Sequence, residues 1–293
     1  MRTMTVAAIQ MQCGKRREDN IAKAEHMVRK ASEKGAQVVL LPELFQTQYF
    51  CQEKSYKNYD LARSVNGDPA VEALSKLARE LRIVLPVSFY EQSENVLYNS
   101  VAVIDADGQI LGVYRKTHIP DDQFYQEKFY FTPGDSGFQV WDTRYGKIGI
   151  GICWDQWFPE TARCLALAGA EVIFYPTAIG SEPILECDSM PHWRRCMQGH
   201  SAANLVPVVA ANRIGTEDIT PTAENNQQSS SLTFYGSSFI TDETGEVLQS
   251  AGRDREEILV QTIDLDRCRD NRLSWGIFRD RRPECYGRIS APQ

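Results

Sequence analysis

The sequence predicts an α/β fold in which two mixed β-sheets pack face to face with helices on their outer faces. Two observations lead to this prediction. Short apolar segments typical of buried strands alternate along the chain with segments that carry apolar residues at helical spacing. Each half of the chain contains strand, helix and hairpin patterns, and no linker or low-complexity break separates the halves. We therefore expect residues 1–293 to form one domain.

The first half begins with a βαβ unit, which implies a parallel pair of strands and a right-handed crossover. Its later part contains an Asp-Gly turn between two apolar segments, which is typical of a hairpin and makes the sheet mixed. The predicted elements are strand 5–10, helix 18–34 ending at Gly35, strand 37–41, a helix with N-cap Asp68 and Pro69 at its first position, strand 83–89, and hairpin strands 98–104 and 109–116.

The second half repeats these patterns and adds three irregular segments. The polar and aromatic loops 117–136 and 176–191 are long enough to suggest a functional role, and 216–231 is expected to be a flexible surface loop. The predicted elements are strands 138–141 and 147–152, helix 161–168, strand 171–175, helix 192–204, strands 206–211, 234–241 and 258–263, helix 264–272, and a C-terminal arm of about 273–293.

Composition and charge exclude several classes of protein. The net charge of -7 argues against nucleic acid or an anionic membrane as the main partner. No apolar run approaches the roughly 20 residues that a membrane-spanning helix needs. The eight cysteines show no Cys-x-x-Cys spacing, so we expect no structural zinc site. With no secretory leader pattern at the start, we expect reduced thiols and a cytoplasmic protein.

Three chemically complementary side chains follow predicted strands. Glu43 follows a buried strand, Lys116 ends a hairpin strand, and Cys153 follows the glycine-rich strand before a helix. Strand ends on one side of an α/β sheet form a common crevice, so we expect these three residues to meet. A carboxylate that ends a buried strand needs a partner or a catalytic role.

Cys153 lies at a strand–turn–helix junction, the geometry that presents a nucleophile. A helix N-terminus next to it is expected to favour the thiolate. The alternative is a small buried side chain at a strand end, which is the commoner role of a single cysteine. The histidines offer poor candidates for a base, and each of them is more simply structural: His26, His118, His192 and His200.

Three segments resemble the motifs of the carbon–nitrogen hydrolase (nitrilase) superfamily, in the same order. They are Leu41-Pro-Glu43, Tyr114-Arg-Lys116-Thr-His118 and Gly151-Ile-Cys153-Trp-Asp-Gln-Trp-Phe-Pro-Glu160. The resemblance covers nearly the whole chain and implies a four-layer αββα sandwich with a Glu-Lys-Cys triad. It also implies a supporting catalytic role for Glu127, which from the sequence alone would be a solvated loop carboxylate.

The triad chemistry is coherent for cleavage of an amide, urea or nitrile. Glu43 would take the Cys153 proton, return it to the leaving nitrogen, and then activate water. Lys116 and the backbone N–H of Trp154 would stabilise the oxyanion, and one such donor is worth on the order of 3 kcal/mol. Glu127 would orient Lys116 or the substrate nitrogen. The resemblance implies neither a metal nor an organic cofactor.

The choice of substrate rests on a closer resemblance within that family. Relatives that act on carbamoyl amino acids place arginines soon after the nucleophile, where this chain has Gln156 and Trp157. The group that hydrolyses N-carbamoylputrescine is similar in the segments 119–134, His192-Trp-Arg-Arg195 and Trp275-Gly-Ile-Phe-Arg-Asp-Arg-Arg-Pro283. The implied reaction, in polyamine synthesis, releases putrescine, ammonia and carbon dioxide. An ω-amidase, a β-ureidopropionase and a nitrilase are the alternatives.

A cationic carbamoyl amine needs aromatic walls and a carboxylate for its ammonium group. The loop after Thr177 and Ala178 supplies Glu182, Glu186 and Asp188, of which Glu182 is the candidate partner of the ammonium. Carboxylates on a surface loop are more often simply solvated. Trp154, Trp157 and Tyr130 are near the site in sequence and are candidate walls.

The resemblance also implies a homo-oligomer, with the arginine-rich and aromatic C-terminal arm as a candidate interface. The remaining alternative is a binding or scaffold protein that keeps the fold without turnover. The presence of Glu43, Lys116 and Cys153 together argues against it.

Overall fold

A computed structural model describes residues 1–181 and 187–291 of the chain. Within these ranges the protein is a four-layer α/β sandwich, as predicted, with two β-sheets between two layers of helices. The strands are β1 Thr3–Gln12, β2 Val38–Leu40, β3 Leu85–Ser93, β4 Val96–Ile104, β5 Ile110–Arg115, β6 Val140–Thr143, β7 Gly146–Ile150, β8 Val172–Pro176, β9 Val208–Ala211, β10 Arg213–Ile219, β11 Ser230–Tyr235, β12 Phe239–Thr241, β13 Val247–Ser250 and β14 Glu257–Asp264. The main helices are α1 Arg17–Glu33, α2 Pro69–Leu81, α3 Pro159–Leu167, α4 Met190–Asn204 and α5 Leu265–Trp275.

The first sheet is built around β1. This strand pairs in parallel with β2 and β10 and antiparallel with β14. The antiparallel strands β3, β4 and β5 continue the sheet, because Val38 of β2 and Val84 before β3 form a parallel bridge. The predicted βαβ unit and hairpin are therefore confirmed, and the chain places both in one sheet.

The second sheet has the strand order β13-β12-β9-β8-β7-β6. Its centre is parallel, since β7 pairs with β8 and β8 with β9 in that sense. The outer pairs β6–β7 and β9–β12–β13 are antiparallel, so this sheet is mixed as well.

The alternation of side chains along each strand creates the four layers. On β1, Met4, Val6 and Ala8 pack between the two sheets. Their neighbours Ala7 and Ile9 face the other way, into the core formed with α1 and α2. On the second sheet, the outward residues of β8 pack against α3 and α4 in the same manner. Both faces of each sheet are buried, which explains why the strands are almost continuously apolar.

Helix α2 shows how closely local sequence signals set the boundaries. The Asp68 carboxylate accepts hydrogen bonds from the N–H groups of Ala70 and Val71, each 3.0 Å away, and Pro69 occupies the first position. The helix ends at Leu81, and the next residue, Arg82, adopts a left-handed conformation with φ of 56°. The predicted N-cap is therefore confirmed.

The prediction of a flexible loop at 216–231 is wrong at both ends of that segment, where 216–219 and 230–231 belong to strands. Strands β10 and β11 form an antiparallel hairpin from the pair Ile214 and Tyr235 to the pair Ile219 and Ser230, so only 220–229 connects them. Thr216 and Thr233 face each other across the strands, with their hydroxyl oxygens 2.8 Å apart. Threonine favours strands through its β-branched side chain, a preference that the polar composition concealed.

The C-terminal arm begins with the last turn of α5. Leu273 and Trp275 project from it with 70% and 72% of their surface exposed. Among the helices in the described ranges, none is both long and apolar enough to cross a bilayer.

Candidate active site

The three predicted catalytic residues follow strands that end at the same side of the sandwich. Glu43 comes three residues after β2, Lys116 directly follows β5, and Cys153 comes three residues after β7. Glu43 and Lys116 have no exposed surface, and Cys153 is 6% exposed. The structure thus brings together residues that are 73 and 37 positions apart in sequence, as the strand-end argument predicts.

Lys116 lies between two carboxylates. Its Nζ donates to Oε1 of Glu43 at 2.8 Å and to Oε2 of Glu127 at 2.6 Å. Burial alone would lower the pKa of Lys116, but the charges of Glu127 and Glu43 outweigh it and hold the pKa well above its ordinary value. The site therefore contains a buried ammonium group at neutral pH.

The two oxygens of Glu43 have different surroundings. Oε1 accepts from Lys116 and also from Nδ2 of Asn99, at 2.7 Å. Oε2 is buried and has no hydrogen-bond partner within the described part of the chain. One oxygen therefore fixes the carboxylate, while the other remains available to accept a proton.

Glu127 lies in a short 3₁₀ helix, Glu127–Phe129, within the long loop after β5. Its Oε1 accepts from the Tyr49 hydroxyl at 2.5 Å. Burial raises the pKa of Glu127 to about 7; Lys116 opposes this shift and Glu43 adds to it. The predicted partnership between Glu127 and Lys116 is thus present as a direct hydrogen bond.

Cys153 occupies a strained turn between β7 and a short 3₁₀ helix, Cys153–Trp157. Its φ is 38°, a conformation that a non-glycine residue adopts only at a cost of order 1–3 kcal/mol. Such strain is typical of a nucleophile held at the point of a turn. Its Sγ lies 3.8 Å from the carbonyl oxygen of Ala178.

The expectation that Cys153 favours the thiolate is wrong. Burial raises the pKa of the Cys153 thiol well above its ordinary value, and Glu43 raises it further, against the opposing effect of Lys116. The short helix that begins at Cys153 does not overcome these two effects. Cys153 is therefore a thiol at neutral pH, and its action as the predicted nucleophile would need a base.

Asp155, two residues after the nucleophile, fixes the turn. Its Oδ2 accepts from the Ile152 N–H at 2.9 Å and from the Tyr114 hydroxyl at 2.7 Å. Its Oδ1 accepts from the backbone N–H of His118 at 3.0 Å and lies 2.7 Å from Nδ1 of that residue. The carboxylate has no exposed surface. It therefore ties the cysteine turn to the segment that carries Lys116.

A cavity of about 430 Å³ opens above these groups. Glu127 and Cys153 lie on its wall together with the aromatic side chains of Tyr125, Trp154 and Trp157. Trp154 is the second residue of the short helix, and the first amides of a helix have no partner inside it. A larger cavity of about 550 Å³ lies between α3, α4 and the C-terminal segment, and none of the triad residues lines it.

The predicted substrate-binding residues divide into three groups. Trp157 and Ala178 line the cavity. Thr177 does not; it is buried, and its carbonyl oxygen accepts from the Glu43 N–H at 3.3 Å, so it supports the base instead. Glu182, with Glu186, lies outside the described residues. Asp188 lines the cavity but forms an ion pair with Arg253 at 2.7 Å.

The assignment of Tyr130 to the substrate wall is wrong. Tyr130 is only 3% exposed and packs among aromatic side chains that include Phe50 and Phe129. Its hydroxyl donates to the carbonyl oxygen of Glu53 at 2.8 Å. The 3₁₀ turn after Glu127 directs Tyr130 into this cluster, so closeness in sequence to Glu127 did not place it at the cavity.

Gln156, where the absence of arginine was taken to indicate a substrate without an acidic tail, does not line the cavity. It is fully buried, and its Oε1 accepts from Nε1 of Trp193 in α4 at 2.6 Å. The absence of arginine at this position therefore carries no information about the substrate. Among the histidines, His192 lines the cavity beside Trp157, and His200 bonds the Gln156 carbonyl at 2.7 Å.

Sequence reasoning missed several charged residues of the site. Asp121 and Asp122 line the cavity. They lie in the loop 117–136, which was expected to be functional, but neither residue was given a role. Asp155 belongs to the nucleophile motif but was given no role. Arg213 is fully buried and contacts the backbone of Glu43 at 2.8 Å. Only its place in an apolar stretch, between Ala211 and Ile214, could have indicated a buried charge.

Known proteins are similar to this chain over nearly its whole length. The carbon-nitrogen hydrolase family model matches residues 5–272. The chain is 54% identical to an N-carbamoylputrescine amidase of Solanum tuberosum over 97% of this chain and 94% of that protein. It is 50% identical to a citrullinase of Francisella tularensis over 99% of both proteins. A crystal structure of a carbon-nitrogen hydrolase from Helicobacter pylori G27 has a TM-score of 0.90 at 37% identity, with 99% of both chains covered.

Proposed function

The chain belongs to the carbon–nitrogen hydrolase family, and we propose that it hydrolyses N-carbamoylputrescine to putrescine, ammonia and carbon dioxide. One observation carries the proposal. The Cys153 thiol and its buried carboxylate and ammonium neighbours lie at a cavity whose charged lining residues, within the described part of the chain, are all acidic. Such a cavity suits a substrate with a reactive neutral end and a cationic tail.

The first step is attack of Cys153 on the carbamoyl carbon. The free Oε2 of Glu43 takes the thiol proton as the S–C bond forms, because the raised pKa of Cys153 keeps the thiol protonated beforehand. The electron pair of the C=O bond moves to oxygen. The Lys116 ammonium and the Trp154 N–H are the proposed donors to this oxyanion, and one such donor is worth about 3 kcal/mol.

Collapse of this intermediate breaks one C–N bond. Glu43 returns its proton to the leaving nitrogen, and a thiocarbamate remains on Cys153. Water then adds to the same carbon and gives its proton to Glu43, and the S–C bond breaks as Cys153 regains a proton. The carbamic acid that forms loses carbon dioxide and releases the second amine. The same residues act whether ammonia or putrescine leaves first.

The cavity walls support a cationic tail. Asp121 and Asp122 line the cavity, Asp188 lines it in an ion pair with Arg253, and no lysine or arginine lines the cavity within the described ranges. Trp154 and Trp157 add aromatic faces, with ring centroids 6.3 Å apart. Aromatic faces and carboxylates both attract an ammonium group.

Citrulline is the competing substrate, because the chain is 50% identical to a relative named citrullinase over 99% of both proteins. Citrulline carries the same ureido group, but its tail ends in both an ammonium and a carboxylate. A buried or partly buried carboxylate needs a positive partner. The acidic lining includes no lysine or arginine within the described residues. This observation favours the diamine derivative over the amino acid.

The test is turnover of a substrate panel by the purified full-length protein. N-carbamoylputrescine, citrulline, N-carbamoyl-β-alanine and N-carbamoyl-butylamine share the ureido head and differ only in the tail. We expect the highest kcat/KM for N-carbamoylputrescine. A higher kcat/KM for citrulline would show that citrulline is the preferred substrate. A higher kcat/KM for N-carbamoyl-β-alanine would show that the cavity does not select a cationic tail.

We further propose that the enzyme acts in the cytosol as a homo-oligomer. All eight cysteines are free thiols, which suits a reducing compartment. The exposed apolar residues Leu273, Trp275 and Ile289 of the C-terminal segment are the candidate contacts between subunits. Light scattering on the wild-type protein and on Trp275→Glu tests this proposal, and we expect the substitution to reduce the mass of the assembly. A wild-type monomer would contradict it.

A further inference from the structure

Arg213 is a fully buried arginine that holds the backbone at Glu43. Its Nη2 donates to the carbonyl oxygens of Glu43 and Leu44, each at 2.8 Å. Its Nη1 donates to the carbonyl oxygen of Thr47 at 3.3 Å and to Oε1 of Glu217 at 2.8 Å. The guanidinium thus binds three carbonyl groups of the loop after β2, whose Leu44 has a left-handed φ of 49°.

Glu217 extends this contact toward the second carboxylate of the site. It is only 1% exposed, and its Oε2 accepts from the backbone N–H of Tyr49 at 2.5 Å. The hydroxyl of the same tyrosine donates to Oε1 of Glu127 at 2.5 Å. Because Glu127 and Glu43 both bind Lys116, these hydrogen bonds close a buried ring that runs from Arg213 through Glu217, Tyr49, Glu127, Lys116 and Glu43 back to Arg213.

A role in stability alone accounts poorly for this pair. A buried ion pair costs so much desolvation that apolar residues of similar volume are often as stabilising or more so. The acceptors of Arg213 are also specific, since two of its three carbonyl partners belong to Glu43 and the strained residue after it. Its planar fork can bridge several acceptors at once, which a lysine ammonium cannot do in the same geometry.

We propose that Arg213 and Glu217 are positioning residues for the reaction: Arg213 fixes the backbone of the base Glu43, and Glu217 fixes Glu127 through Tyr49. The inference deepens the proposed function and rests on it for the role of Glu43 as base. Neither residue lines the cavity, so we expect the pair to act on the reacting groups and not on the bound substrate.

The experiment compares Arg213→Lys and Glu217→Gln with the wild-type protein. Arg213→Lys keeps the charge and loses the fork. Glu217→Gln keeps the size but places an amide donor against the Tyr49 N–H or against Arg213. A misplacement of about 1 Å at a catalytic group can lower the rate roughly 100-fold, so we expect kcat to fall at least roughly tenfold in both variants. KM should stay within about twofold, because the substrate contacts are intact.

A second readout separates positioning from the choice of substrate. The rate of Cys153 alkylation by iodoacetamide depends on the base and needs no carbamoyl substrate. We expect both variants to react more slowly than the wild type, even if the wild type proves inactive on N-carbamoylputrescine. In that case the proposed function fails and the positioning role stands.

The matched control is Glu243→Gln. Glu243 is 2% exposed and accepts from Arg267 at 2.9 Å and Asn271 at 2.7 Å, beside α5 and away from the site. We expect it to change stability without changing kcat or alkylation. If one variant fails to fold by circular dichroism, the other decides. A folded Arg213→Lys or Glu217→Gln protein with kcat and alkylation within about twofold of the wild type would overturn the proposal.

Discussion

Lys116 and Glu43 form a fully buried ion pair, with Nζ 2.8 Å from Oε1 and no exposed surface on either side chain. The ammonium occupies one carboxylate oxygen and leaves Oε2 without a partner among the described residues. That oxygen is free to accept a proton, and Glu43 is close enough to Cys153 to raise the pKa of its thiol. The pair also places a positive charge where the oxyanion is expected to form.

Replacing the base tests this arrangement. Glu43→Gln keeps the shape of the side chain and an acceptor for Lys116 or Asn99, but it cannot take the Cys153 proton. Loss of a general base lowers rates by roughly 10²- to 10⁴-fold, so we expect a fall of that size in kcat. Steady-state kinetics and iodoacetamide alkylation measure the effect. A folded variant with nearly wild-type kcat would assign proton transfer to another group.

Glu127 gives the stability of the protein a predictable dependence on pH. Its pKa is raised from about 4.5 to about 7 on folding, chiefly by burial. The unfolded chain therefore loses this proton at lower pH than the folded protein does. The contribution of Glu127 to stability is full below about pH 4.5 and is lost as the pH rises through about 7.

The Glu127→Gln variant lacks this titration. Compared with it, the wild type should lose free energy of unfolding between about pH 4.5 and about pH 7. Urea denaturation of both proteins across this range measures the difference. A wild type that gains stability relative to the variant over the same range would show that Glu127 has a lowered pKa.

Asp155 is expected to control the geometry of the nucleophile. Asp155→Asn replaces one of the two carboxylate oxygens with an NH2 group, which cannot accept a hydrogen bond. The variant therefore loses either the hydrogen bonds from Ile152 and Tyr114 or the hydrogen bond from His118. An unsatisfied buried donor costs about 1–3 kcal/mol, and we expect a loss of stability in that range. Thermal melts and kcat should both fall, with KM little changed. An unchanged kcat in a destabilised variant would restrict Asp155 to a structural role.

Asp121 and Asp122 are the expected partners of the substrate ammonium. The double variant Asp121→Asn/Asp122→Asn should raise KM for N-carbamoylputrescine roughly fivefold or more, the effect of losing about 1 kcal/mol. KM for N-carbamoyl-butylamine, which has no ammonium, should not change. Asp188→Asn is the control, because Asp188 is already paired with Arg253. An equal change in KM for both substrates would show that the two aspartates do not bind the ammonium group.

The sequence predicted the four layers and the triad because their signals are local. Apolar periodicity marked the strands, and Glu43, Lys116 and Cys153 were conspicuous as polar groups directly after them. Residues 216–219 and 230–231 were misassigned because a polar strand near the edge of a sheet has the composition of a loop. Tyr130 was misassigned because a single 3₁₀ turn decides whether it faces the cavity or the aromatic core.

The supporting residues depend on contacts that no local pattern encodes. Arg213 meets Glu43 across 170 positions, and Asp155 meets His118 across 37. The raised pKa of Cys153 likewise results from burial and from Glu43, which a helix-dipole argument from sequence does not include. The triad was thus predictable, whereas the groups that fix its geometry required the structure.

The most direct test is the release of putrescine and ammonia from N-carbamoylputrescine by the wild-type protein and by Cys153→Ala. We expect the wild type to release both products in equal amounts, and the folded variant to lose essentially all turnover because no thiocarbamate can form. Turnover that survives in Cys153→Ala, or a wild type that releases no putrescine above buffer, would contradict the account.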